Sequence, residues 1–139
     1  MTDIALLCKL GIPESLIREI LNSGVTAILI RDGLPGDGII LGQHRPAFNV
    51  IELNRSIDRK IAAREVRKKI DVDISEEEIF PWILLHEFAH FKGYKKEKEA
   101  DLFASERLAK LRGYTRRYSL TIPINITDVI CKGLRQALK

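Results

Sequence analysis

In the stretch HEFAHFKGYKKEKEADLF, residues 86–103, two histidines stand four apart around a glutamate, and a further glutamate and an aspartate follow. On a helix, positions i and i+4 lie one above the other, so His86 and His90 can turn their imidazoles toward one ion. Glu87 is rotated from His86 by about 100° around the axis. It can flank that ion without ligating it and act as general base toward a metal-activated water. Zinc suits two imidazole nitrogens and a carboxylate, and a catalytic zinc needs a third protein ligand plus an open position.

The third ligand should come from the next helix. If the chain reverses around Gly93-Tyr94, residues equidistant from that turn sit level on an antiparallel helical hairpin. Glu97 then faces His90, and Asp101 faces His86, where a hydrogen bond to the imidazole would fix its orientation. Glu99 points to another side. The competing reading is a histidine pair beside a charged helix, with no metal. It leaves unexplained a glutamate inside the apolar run WILLHEFAHF, where an unpaired buried charge is costly.

The pattern HEFAH followed by EKEADLFA resembles the gluzincin metallopeptidases, in which H-E-x-x-H on an active-site helix is completed by a glutamate on a following helix. The form E-x-x-A-D-x-F-A is similar to that of membrane-embedded CAAX-type and stress-response peptidases, of small intracellular proteases that act on phage-type repressors, and of minimal gluzincins. The resemblance covers residues 86–104. It implies His86, His90 and Glu97 as zinc ligands, Glu87 as general base and acid, and Asp101 as the aspartate behind a ligand histidine. It also implies an edge strand that binds an extended peptide substrate, for which AFNVIELN is the best candidate. Minimal gluzincins are held latent by their C-terminal segments, so the tail of this chain is expected to be able to block the cleft. An oxyanion needs a neutral or cationic donor; Tyr94 is one candidate, and His44 and Arg45 are others.

The elements that must position these residues can be read from the chain. Residues 3–10 and 13–22 suggest two short helices, whose leucines and isoleucines are explained by core packing. VTAILIR, IILG and AFNVIELN read as strands, with DGLPGDG as a turn cluster, which suggests a hairpin or a small, mostly antiparallel sheet. Helical patterns follow over 56–69, about 76–92 and about 95–112. Ser75 and Glu78 form a capping-box pattern, and Pro81 places the regular start of the second of these helices near Phe80. SLTIPINI reads as extended and TDVICKGLRQALK as a last helix. The fold class is therefore α+β, one zincin-like domain over 1–139: helices over 1–24, a catalytic core over 25–112, and a tail over 113–139.

Composition sets the outer limits. With 139 residues, 45% hydrophobic and 30% charged, the chain reads as a globular protein with one modest core. No apolar run is long enough to cross a bilayer, and MTDIALLCKLG lacks the marks of a secretion signal, so a cytoplasmic location without membrane contact is expected. Cys8 and Cys131 have no partner at metal-binding spacing and are expected to be reduced. The net charge of +4 is concentrated after residue 54, notably in RSIDRKIAAREVRKK. Those charges surround an apolar stripe of Ile57, Ile61, Val66 and Ile70, so a solvated helix face accounts for them, and nucleic acid is the weaker expectation as a partner. The leading reading is a zinc metallopeptidase acting on a protein or peptide. The alternative is a zinc-containing regulatory or nucleic-acid-binding protein without turnover, and a third reading is a helical domain whose site never fills.

Overall fold

Asp3 starts the first helix, its Oδ1 accepting from the Leu6 N–H at 3.0 Å. In the computed structural model, which describes residues 1–70 and 72–119, helix α1 spans Ile4–Lys9 and α2 spans Glu14–Asn22. Leu7, Ile12, Leu16, Ile17 and Ile20 are buried to within 1% of their surface, so these helices close the core. Burying each such side chain contributes about 1.5–3 kcal/mol. Cys8 is exposed rather than packed inside.

Three strands follow: β1 (Ala27–Arg31), β2 (Gly42–Arg45) and β3 (Val50–Asn54). The sheet is mixed, which corrects the expectation of a mostly antiparallel one. Its order is β1-β3-β2, with β3 parallel to β1 and antiparallel to β2. The turn cluster DGLPGDG does not close a hairpin between β1 and β2. It carries the chain past the central position to the far edge, and the short turn Pro46–Asn49 then brings β3 back between them. Two further expectations change. The second strand begins at Gly42 rather than Ile39, because the Asn54 side-chain amide donates to the Ile40 carbonyl and ends regular pairing there; Ile39 is 69% exposed. AFNVIELN is not an edge strand: its VIELN part is the central strand, with Ile51, Glu52, Leu53 and Asn54 all buried. The edges belong to β1 and β2.

Glu52 is 2% exposed at the centre of this sheet. Gln43, directly opposite on β2, donates to Oε1, and Arg31 donates to Oε2 at 2.9 Å, with Arg45 3.7 Å away. Burial pushes the Glu52 pKa up, but these donors and positive charges outweigh it and hold the carboxyl below its ordinary range.

Helix α3 (Arg59–Ile70) starts later than the charge pattern suggests because Asp58 caps it, accepting from the N–H groups of Lys60 and Ile61. Its inward face is Ala62, Ala63 and Val66, whereas Ile61 is 40% exposed. The small alanines let the helix sit close to its neighbours, and the larger isoleucines lie at the margins. A 3₁₀ turn at Glu76–Glu78 follows, with the expected reciprocal capping between Ser75 and Glu78. Helix α4 (Ile79–Phe91) is buried continuously from Ile79 to Ala89, and Pro81 falls in its first turn, where its missing N–H costs nothing. Helix α5 spans Glu97–Ser119.

The described architecture is α+β. The chain divides into two compact units, Met1–Ser105 and Glu106–Lys139. The first contains the sheet, α1 to α4 and the start of α5; in the second, the described residues continue α5. Helix α5 runs beyond the expected end near 112 and through residues 113–119, so the first part of the expected tail is helical, Ser119 included; the rest of SLTIPINI, the last helix and Cys131 lie outside the described residues. Among the described residues, no helix is long and apolar enough to cross a membrane.

Glu52 gives the fold a testable pH signature. A folded-state pKa below the unfolded one stabilises the protein above the ordinary carboxylate range, and that contribution is lost as pH falls through the lower folded value. In urea unfolding, Glu52→Gln should therefore be clearly less stable than the native chain at neutral pH. The gap should narrow below about pH 4.

Candidate metal centre

The reversal between α4 and α5 is made by the backbone. Gly93 adopts φ 106°, the left-handed region that glycine enters without strain. The Gly93 N–H donates to the His90 carbonyl at 3.1 Å and the Tyr94 N–H to the Ala89 carbonyl at 3.0 Å. This pair of bonds is the Schellman ending of a helix. It delivers the Tyr94 carbonyl to His90, whose Nδ1 lies 2.7 Å from it.

Across the hairpin, Glu97 Oε1 is 3.0 Å from His86 Nε2 and Oε2 is 3.1 Å from His90 Nε2. The two Nε2 atoms are 3.2 Å apart. Asp101 Oδ1 lies 2.8 Å from His86 Nδ1, off the line of a well-aligned hydrogen bond. Glu97 thus reaches both histidines rather than His90 alone, and Asp101 stands behind His86. Glu99 is exposed and is not one of the grouped donors.

The donor chemistry points to a cation. The Tyr94 carbonyl only accepts, so the proton of His90 belongs on Nδ1, and its Nε2 turns a lone pair toward His86 and Glu97. His86 has a carboxylate at either nitrogen, and the well-aligned one is Glu97 at Nε2; a cation held at Nε2 would send that proton to Nδ1, toward Asp101. Burial pushes the His86 pKa below the ordinary imidazole value despite the nearby charges of Asp101 and Glu97, so a second proton on that ring is disfavoured. Around a tetrahedral zinc with bonds of about 2.0–2.1 Å, neighbouring ligand atoms lie about 3.3–3.4 Å apart. The observed 3.0–3.2 Å is slightly inside that spacing. His86, His90 and Glu97 can therefore hold a metal ion, and the described residues present them as such a group.

Around this group the surroundings divide. His86 is fixed: its ring lies 5.3 Å from that of Trp82, which donates to Ser105 Oγ at 3.2 Å, and Ser105 in turn donates to the Asp101 carbonyl. Sequence reasoning missed this brace, although its signal was present, since Trp82 and Ser105 are also equidistant from the Gly93 turn. Glu87 is 7% exposed, and its carboxyl is pushed up to about 8. The cause is burial first, then the charge of Glu97, with the His44 main-chain amide acting in the opposite sense. Gly42 allows this packing: a Cβ there would stand 2.7 Å from Ile83 Cγ2 and 3.5 Å from Glu87 Cγ.

Two cavities open on either side of Gly42, Glu87 and Glu97, which line both. One, of about 460 Å³, has Ile39, Ile40, Trp82 and Ile83 in its wall and charged side chains, Lys69 among them, at its border. The other is more polar and includes His44, Asn49, His90 and Tyr94. The Tyr94 ring packs 5.4 Å from that of Phe103, and its carbonyl serves His90. His44 is packed edge-on against Phe91, with a buried Nε2. Arg45 lies on the opposite side of the sheet, near Glu52. Compared with protein-family models, with curated proteins and with solved structures, the chain matches none.

The centre should bind one divalent ion per chain in equilibrium dialysis. His90→Ala should abolish stoichiometric binding, and Asp101→Asn should weaken it by about 10–100-fold. Native affinity in the His90 variant would mean that the three donors do not act together.

Proposed function

We propose that the chain is a zinc-dependent metallopeptidase, with His86, His90 and Glu97 as the metal ligands. The observation that carries this reading is the convergence of two imidazole nitrogens and a carboxylate at close to tetrahedral spacing, beside a second, buried glutamate. Two nitrogens and one oxygen suit zinc better than harder cations, which prefer all-oxygen shells. Three protein donors leave a position open, the arrangement of catalytic rather than structural zinc sites. When bound, zinc supplies Lewis acidity, polarising a carbonyl and making water a stronger nucleophile near neutral pH.

The chain's own residues would do the rest. Glu87 borders both cavities, and burial and the charge of Glu97 favour its protonated form in the metal-free protein. Beside a divalent cation the carboxylate would be favoured, and it can then take a proton from the attacking water and return it to the leaving amine. The Tyr94 carbonyl holds the proton on Nδ1 of His90, and with a metal bound Asp101 would receive that of His86 Nδ1, so that both Nε2 atoms could ligate. The outer edge of β2 has no partner strand among the described residues and runs beside Glu87. An extended peptide can add to such an edge through main-chain hydrogen bonds, with the scissile bond near the metal ligands. This assigns to β2 the substrate-binding role that the sequence suggested for AFNVIELN. Tyr94 lines the more polar cavity and remains a candidate oxyanion donor.

Glu87→Gln tests the reading directly. The variant should keep its zinc, measured by metal analysis after gel filtration, and lose about 10²–10⁴-fold in peptide hydrolysis. Hydrolysis by the native protein that survives this change unaltered would rule out Glu87 as the proton carrier. A zinc-loaded native protein that cleaves nothing across a diverse peptide mixture would favour the binding-protein reading instead.

A further inference from the structure

We propose that Lys69 is a positioning residue of the metal centre, set to offset the charge of Asp101 and so to moderate the hold of the site on its metal. This rests on the reading of His86, His90 and Glu97 as metal ligands and adds a residue from a third helix to their control.

Asp101 is 1% exposed, and its two oxygens face different partners. Oδ1 stands 2.8 Å from His86 Nδ1, and Oδ2 stands 3.4 Å from Lys69 Nζ. Lys69 comes from the last turn of α3, the helix that docks inward through Ala62, Ala63 and Val66. Its side chain remains 55% exposed, so the stem lies along the protein while the ammonium reaches a buried carboxylate. Lys69 also lines the cavity of about 460 Å³ together with His86, Glu87 and Glu97, which places it on the side of the ligands.

Charge gives this contact its consequence. Glu97 and Asp101 bring two carboxylates to a pair of imidazoles, and that negative potential is what a divalent cation seeks. An ammonium at Asp101 draws on the same potential. In the metal-free protein Lys69 relieves the repulsion between the carboxylates and holds Asp101 where His86 needs it. Once a metal is present, the ammonium and the ion repel. Removing the charge should strain the empty site and favour the filled one, whereas loss of a purely structural contact would weaken both. Because Lys69 is half exposed, solvent and salt screen its effect, which should be modest and should shrink as ionic strength rises.

The experiment measures zinc affinity by competition with a chromophoric chelator, at low and high salt, for the native chain, Lys69→Met and Lys69→Arg. Thermal unfolding of each metal-free protein is followed in parallel. Lys69→Met should bind zinc about 3–10-fold more tightly at low salt, converge on the native affinity at high salt, and unfold at a lower temperature without metal. Lys69→Arg should behave as the native chain. Unchanged or weaker zinc binding by a folded Lys69→Met would overturn the proposal. Lys69→Gln provides the same comparison if the methionine variant does not fold. A native chain that binds no zinc would instead remove the metal centre itself, so the two failures are separable.

Discussion

The structure depends on a helix that is buried all round while carrying two histidines and a glutamate. Helix α4 is enclosed from Ile79 to Ala89, with His86 and Glu87 each only 7% exposed. A polar group in such a place is tolerated only if every donor and acceptor finds a partner. The partners present are a backbone carbonyl at His90 and carboxylates at His86, and both are acceptors. The carbonyl satisfies Nδ1 of His90 and commits its Nε2 to a lone pair, whereas His86 Nδ1 and Asp101 Oδ1 are buried without a well-aligned partner. A cation between the Nε2 atoms would answer both, because it would send the His86 proton to the side of Asp101. The surrounding packing serves the same end: Gly42 lets the sheet edge approach α4, and Trp82 with Ser105 holds the far side of the helix pair.

Much of this was legible in the sequence because a helical hairpin obeys simple arithmetic. A tight reversal at Gly93 makes residues equidistant from it neighbours, and this pairs Glu97 with His90 and Asp101 with His86. The capping pair Ser75 and Glu78 and the early Pro81 were equally readable, since each acts within a single turn. The sheet was not. Whether β3 lies at an edge or in the centre is decided by which strands it meets, and alternating apolar residues do not encode strand order. The local pattern of AFNVIELN is compatible with either position; burial of Glu52 among Gln43, Arg31 and Arg45 is what marks the centre. Lys69 was hidden for a similar reason. Nothing within the charge run of α3 distinguishes it from Lys68, which meets Glu65 one turn away on the surface.

The two sides of the centre differ in rigidity, and that difference bears on how it would work. His86 and His90 are delivered by a helix packed in the core, the His86 ring lying against Trp82 and His90, and the His90 ring held by the Tyr94 carbonyl. Glu97 is delivered by the first residue of α5, and its side chain is 68% exposed. From Lys92 to Glu99 every residue lies at the surface. A carboxylate in the first turn of a helix is favoured by the helix dipole, so Glu97 suits its place without a metal. Nevertheless, few buried contacts hold that turn, and such segments open locally at low cost. The histidines would therefore define where an ion sits, while Glu97 would be the ligand able to adjust. Ion binding would be coupled to ordering of the start of α5, and through Asp101, one turn further on, to α3. In this arrangement the free energy of binding is spread along a helix rather than confined to three side chains, because the third ligand and the aspartate behind the first share the same helical face.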